Sequence, residues 1–244
     1  MRYDIILTID YSYASASDQV RNILRLMPIS GPGQRVETAQ LSIEPAPDER
    51  RDGRDFFGNA ISAVAWHRPV EKIAFCLTAR AERAPPPLAD LSPPLADLPG
   101  QIAGTDLSPG SPQHFLAPSY RIVPVAEITG FARAAVPEGA SVRDAVQAVG
   151  HALYRAMKYD AEATDVGTTP AQAFAARHGV CQDFTQIMIA GLRALGIPAG
   201  YVSGFLRTYP PPGQPRLAGV DAMHAWVAAW AGPVQGWIDR KSVV

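Results

Sequence analysis

The chain is 244 residues long with a formal net charge of −1, which removes electrostatic capture of nucleic acid or of an anionic membrane surface, so neither partner is expected. Its 47 % hydrophobic content can bury a sizeable core in one large domain or two ordinary ones. Two cysteines, Cys76 and Cys181, make no disulfide framework and supply too few ligands for zinc, so no metal or cofactor is expected.

No apolar run approaches the ~20 residues that span a bilayer and no signal-peptide core is present, which makes a cytoplasmic protein the expectation. From Tyr3 to Tyr13 apolar and polar residues alternate as in a half-buried strand. Ser17 to Met27 fits a short helix or another extended piece. Arg35 to Ile43 alternates again and ends at Pro45. Asp48 to Arg54 reads as a charged turn, and Gly58-Asn59 leads into a hairpin strand over Ala60–Trp66. Lys72 to Arg80 is a further strand, with Cys76 on the side opposite its large apolar residues. Residues 1–84 therefore read as a small antiparallel β-domain.

Residues 85–118 change character. Pro85-Pro86-Pro87-Leu88-Ala89-Asp90-Leu91 nearly repeats as Pro93-Pro94-Leu95-Ala96-Asp97-Leu98, and more Gly, Pro and Ser follow. Such spacing favours extended segments, so this stretch reads as a Pro-rich linker or insert, with a ligand for proline-binding modules as the alternative.

Beyond it the pattern becomes helical. Ser141 caps a helix over Val142–Met157, and Thr169-Pro170 opens a short one that Gly179 closes. Phe184, Ile187, Met188, Gly191, Leu192 and Leu195 then form the stripe of an amphipathic helix stopped by Gly196 and Pro198. Ala199–Arg207, Met223–Trp230 and a strand from Trp237 complete an antiparallel meander, giving an α+β domain over residues 119–244.

Cys181 lies one turn before Phe184, at the start of that helix. The unpaired N–H groups and positive dipole end of a helix N-terminus favour thiolate over thiol. Such a nucleophile needs a base, and His224 stands 43 positions on. On its strand His224 shares a face with Trp226, Ala228 and Trp230. A hairpin pairing Trp230 with Trp237 sets Ala228 opposite Asp239, Trp226 opposite Lys241 and His224 opposite Val243. Asp239 is then the carboxylate on the histidine's face. Asp183 reads as an exposed first-turn carboxylate, and His178 as a helix-end residue. Tyr201 and Trp226 are candidates for a substrate cleft. The glycines near 31–33 and 213–219 do not join a strand to a helix, so nucleotide use is not expected.

Gly179-Val180-Cys181-Gln182-Asp183-Phe184, Gly196-Ile197-Pro198-Ala199 with Tyr201-Val202-Ser203-Gly204, and Asp221-Ala222-Met223-His224-Ala225-Trp226-Val227 closely resemble the bacterial transglutaminase-like cysteine proteins. Leu24-Arg25-Leu26-Met27-Pro28, Gln34-Arg35-Val36 and Asp55-Phe56-Phe57-Gly58-Asn59 resemble that family's N-terminal β-region. The resemblance implies a papain-like, transglutaminase-like α+β catalytic domain preceded by the small antiparallel β-domain. It also implies a Cys–His–Asp triad in which Cys181 attacks an amide carbonyl and His224 serves as general base and acid. The substrate is then a peptide or protein amide. Resolution of the thioester by water makes a protease or amidase, and by an amine a transglutaminase. A non-catalytic binding or scaffolding member of the same fold is the alternative.

The family's third residue follows its Trp by four positions in Trp-x-x-x-Asp-Pro. Counted from Trp237 that place holds Lys241, and Asp239 is at best a weak substitute. The expectation is a C-terminally truncated core with a foreign or frame-shifted tail, Arg240-Lys241-Ser242-Val243-Val244, and impaired activity.

Overall fold

Alternation along the first third of the chain produces long strands that pair through their backbones and bury one face. The computed structural model describes residues 1–84, 89–165, 167–206 and 223–240. The loop 210–215, Asp221, Ala222, Lys241 and the residues after it lie outside the described residues. The chain divides into two units, Met1–Leu88 and Ala89–Val244.

The first unit contains β1 (Arg2–Ser17), β2 (Arg21–Leu24), β3 (Gln34–Glu44), β4 (Glu49–Arg54), β5 (Ala60–Ala65) and β6 (Val70–Arg83). They form two antiparallel sheets, in the orders β1-β6-β3 and β2-β5-β4. Leu41, Ile43, Val64, Trp66, Val70, Ile73 and Phe75 make the core, and the Trp66 indole donates to Pro45 O at 3.0 Å. The ambiguous stretch from Ser17 to Met27 is resolved as the end of β1 followed by β2. The charged turn expected over Asp48–Arg54 is instead the edge strand β4, with every side chain exposed. An edge strand with both faces wet has no apolar alternation to reveal it, and its charges oppose pairing with another chain. His67 lies 2.8 Å from Glu49 Oε1.

The Asp55–Asn59 turn is closed by its own side chains. Asp55 Oδ1 accepts from the N–H groups of Phe57 (3.1 Å) and Asn59 (2.9 Å), while Oδ2 accepts from Arg25 Nε (2.9 Å) and Asn59 Nδ2 (3.1 Å). Gly58 takes the left-handed conformation, φ +81°, that the turn requires. The bond from Arg25, then that from the Asn59 side chain, holds the Asp55 carboxyl down at about 2.

The second unit contains α1 (Leu98–Ala103), α2 (Ala126–Ala135), α3 (Val142–Ala156), β7 (Lys158–Tyr159), α4 (Pro170–Ala176), β8 (His178–Gly179), α5 (Cys181–Ala194), β9 (Ala199–Phe205), β10 (Met223–Trp230), α6 (Gly232–Gln235) and β11 (Trp237–Arg240). α5 is central: α2, α3 and α4 pack on it, and so do β9 and β10 of the antiparallel sheet β11-β10-β9. Every residue from Asp183 to Leu192 is buried, so the expected stripe is a helix enclosed all round. A Cβ at Gly191 would stand 3.0 Å from Ala132 Cβ, the close approach that lets α2 seat on α5.

The linker expected over 85–118 is corrected from residue 89 onward, and 85–88 lie outside the described residues. Leu98 and Ile102 belong to the core of the second unit. Leu95 N–H donates to Ala140 O and Val142 N–H to Pro93 O, both at 3.0 Å. Composition misled here because Pro99 sits in the first turn of α1, where the missing N–H costs nothing. The Ser141 and Thr169 caps are present, the latter as a capping box with Gln172. α4 ends earlier than Gly179, at Arg177, whose left-handed φ of +61° sets its guanidinium 3.9 Å over the Phe174 ring. α2 has no counterpart in the expectation, and His178 stands in β8, paired with Lys158, rather than at a helix end. Among the described residues, no helix is long and apolar enough to cross a membrane.

Because folding lowers the Asp55 carboxyl, the stability it contributes is complete above the ordinary value of 3.8 and is lost as pH falls towards about 2. Asp55→Ala is therefore expected to lower the thermal midpoint of the first unit at pH 6, with the gap to wild type narrowing progressively below about pH 4. Calorimetry across that range checks it, and a constant gap would contradict the assignment.

Candidate active site

Cys181 occupies the first helical position of α5 and is half-buried. The residue before it, Val180, is the N-cap in extended conformation (φ −99°, ψ 179°), and valine has no side-chain acceptor. The Cys181 N–H, which has no partner inside the helix, is used by no hydrogen bond among the described residues. Its carbonyl accepts from Thr185 Oγ1 at 2.7 Å. A sulfur and an open N–H donor thus stand on one residue at the positive end of a buried helix.

Asp183 is not the exposed first-turn carboxylate expected from its position: it is fully buried. Its Oδ2 accepts from the Val180 N–H at 2.8 Å and from Thr164 Oγ1 at 2.6 Å. This is the reciprocal half of a capping box, the half that an apolar N-cap leaves possible. Asp183 Oδ1 is buried without a partner among the described residues. A Cβ at residue 179 would stand 2.6 Å from Asp183 Oδ2 and 2.9 Å from Asp183 Cβ, so Gly179 is the space into which the carboxylate folds.

The three-stranded sheet has two distinct faces. Val227 and Ala229 are buried in the core with α5, and Ala225, on the same face, is also buried. Tyr201 pairs with Val227 and so shares that face. Burial, followed by the charges of Cys181 and Asp183, pushes the Tyr201 hydroxyl up to about 12. By alternation the other face carries His224, Trp226 and Ala228, with Gly204 opposite His224. Trp226 covers Gly204: a Cβ there would meet its ring at 2.6 Å. Phe115 covers the same face further along, 4.9 Å from the Trp237 ring and against Gly200. Arg193 ties that covering segment to the sheet, donating to Ala117 O at 2.6 Å and to Ala199 O at 2.8 and 3.0 Å.

The pairs Trp230↔Trp237 and Ala228↔Asp239 occur as expected, so Asp239 is on the face of His224, exposed and opposite Ala228. The opposition of Trp226 to Lys241 and of His224 to Val243 lies outside the described residues. Cys181 and Asp183 stand on α5, and Tyr201 on the face of the sheet that packs against it. His224 is on the neighbouring strand, half-buried at the end of β10 beyond the described pairing with β11. Thr164 and the buried state of Asp183 had no signal in the sequence, since the contact spans 19 positions and joins a loop to a helix. Among the described residues no group of acidic, His and Cys side chains could hold a metal ion.

The transglutaminase-like superfamily model matches residues 129–240, and the model of the bacterial transglutaminase-like N-terminal region matches residues 3–82. An uncharacterized protein of Mycobacterium tuberculosis (strain H37Rv) is 32 % identical over 94 % of this chain and 73 % of its own length. The chain belongs to the bacterial transglutaminase-like family. A Mycobacterium leprae relative, also uncharacterized, is 26 % identical over 97 % of this chain and 81 % of its own. Among solved structures, a candidate cysteine protease from Cytophaga hutchinsonii superposes with a TM-score of 0.75 at 20 % identity, covering 99 % of this chain and 76 % of that one. That likeness is one of fold: α+β and papain-like, with a transglutaminase-like core.

Gly179→Ala is expected to destabilise the protein by about 1–3 kcal/mol, the usual cost of forcing a methyl into a filled site. Gly130→Ala, in the interior of α2 with nothing within 4 Å of the new methyl, is expected to stabilise by about 0.5–1 kcal/mol. Denaturant titration of the two variants checks the contrast.

Proposed function

We propose that this transglutaminase-like chain is built for cysteine-dependent acyl transfer on peptide or isopeptide amides. The observation that carries the reading is the open N–H of Cys181, at the head of a helix buried in this fold. In the reaction the Cys181 sulfur bonds to the amide carbonyl carbon. The carbonyl oxygen takes up the electron pair and is stabilised by the Cys181 N–H, a donor fixed before the charge develops. His224 takes the Cys181 thiol proton and delivers it to the departing amine as the carbonyl re-forms and the carbon–nitrogen bond breaks, leaving a thioester on Cys181. Water then releases an acid, or a second amine forms a new amide. Tyr201 is the wall candidate on the α5 side of the sheet, and Trp226 the one on the face of His224. A thiol that does this work alkylates faster than Cys76, which sits half-buried on β6 with Thr8 Oγ1 donating to its sulfur at 3.9 Å. With limiting iodoacetamide at near-neutral pH, peptide mapping is expected to find Cys181 modified well before Cys76. Equal, slow modification of both would favour a binding or scaffolding role.

The identity of residue 241 favours that second role for the chain as it stands. Lys241 takes the place of the aspartate expected to orient His224, and Asp239 is its nearest substitute on the sheet. Loss of the orienting carboxylate lowers turnover by ~10⁴ in a serine triad, because the imidazole takes the wrong tautomer. Turnover of a peptide-amide substrate is therefore expected to be nearly absent in this sequence and to rise by orders of magnitude, up to ~10⁴-fold, in Lys241→Asp. Indistinguishable rates would remove both the triad assignment and the impairment.

A further inference from the structure

We propose that Asp183 is a positioning residue, holding the Gly179–Cys181 backbone so that the Cys181 N–H stays aimed at the acyl oxygen. This rests on the acyl-transfer reading above and names the part that keeps its donor in place. Three observations converge on it. The carboxylate reaches backward along the chain to take the Val180 N–H at 2.8 Å, fixing the Gly179–Val180 peptide plane, one before the plane that carries the Cys181 N–H. The same oxygen takes the Thr164 hydroxyl at 2.6 Å, tying that turn to the loop after β7, which is itself docked by Asp160 N–H on Gly179 O at 3.0 Å. The chain has given up a side chain at residue 179 to admit the carboxylate.

A cap serving only the helix would not need this arrangement. Serine or threonine at the N-cap would satisfy the first turn from outside, but would spend its oxygen on the N–H groups of that turn. Here the N-cap is valine and the acceptor comes from within, and the Cys181 N–H has no partner among the described residues. The cost is a buried carboxylate with Oδ1 unpartnered among the described residues. Local rules broken at a nucleophile's own turn are a mark of a working site.

Two reagents separate positioning from thiol reactivity. p-Nitrophenyl acetate acetylates sulfur through a tetrahedral oxyanion: the sulfur bonds to the acetyl carbon and p-nitrophenolate leaves with the bonding pair. Iodoacetamide is attacked at a saturated carbon, expels iodide and forms no oxyanion. Both rates are measured on the full chain at Cys181 by peptide mapping, with Cys181→Ala as background, for wild type, Asp183→Asn and Thr164→Val. Acetylation is expected to fall on the order of 10²-fold in Asp183→Asn and about 10-fold in Thr164→Val, the scale of a misplaced donor. Alkylation of Cys181 should not fall in either.

Unchanged acetylation in the folded variants overturns the proposal. So does a parallel loss of both rates that tracks a lowered thermal midpoint, since that is a structural role. Should Asp183→Asn fail to fold, Thr164→Val decides alone. Wild-type Cys181 that alkylates no faster than Cys76 sinks the acyl-transfer reading itself, and this proposal with it.

Discussion

The second unit is organised by the enclosure of α5 on all sides. A helix in that setting gains from burying apolar surface along its whole circumference, but each end still presents backbone groups that no intrahelical bond satisfies. At the C-terminus, Gly196 takes φ +77° and Ile197 N–H returns to Leu192 O at 2.9 Å. At the N-terminus the solution is asymmetric. Asp183 serves the N–H of the residue preceding the helix from inside, and the Cys181 N–H has no partner among the described residues. The polarity that burial leaves over is thereby concentrated on a single turn.

Enclosure also constrains what surrounds the helix. Gly191 lets α2 approach, while Gly200 lets Phe115 lie on the far face of the sheet, each at 3.0 Å from a would-be Cβ. Arg193 reaches from the last turn of α5 to the carbonyls of both Ala199 and Ala117, and burial holds its guanidinium below the usual arginine range. One side chain thus joins helix, sheet and the segment that covers the sheet. A segment rich in proline is well suited to that covering role, because it loses little backbone entropy on being fixed.

The first unit relies on a different balance. Its core is centred on Trp66 and Phe75, whose rings meet edge to face at 6.4 Å, and its exposed strands carry charge ladders such as Asp4 with Arg80 and Glu82 with Arg35. Exposed pairs of this kind add little stability singly, and they keep long two-sided strands from pairing with other chains. The tight element is the Asp55 turn, where a single carboxylate collects three donors from its own turn and one from Arg25.

Period-two alternation was enough to place β1, β3, β5 and β6, and period-3.6 spacing with its caps placed α3, α4 and α5. The Trp230↔Trp237 register also followed from the chain alone, because a short connection leaves few alternatives. Cys181 and His224 were legible as candidates, because a thiol at a helix start and an imidazole on a strand are marked by residue type and by element. What sequence could not settle were the features that depend on distant partners. The strand character of β4 comes from backbone pairing with β5, independent of its side chains. The docking of residues 89–118 comes from a few apolar residues, Leu98 and Ile102 above all, finding a surface made elsewhere. The burial of Asp183 required Thr164 and Gly179 to be brought around it. Local periodicity records which face of an element turns inward; only the assembled unit decides what that face meets, and so whether a carboxylate lies in water or inside the protein.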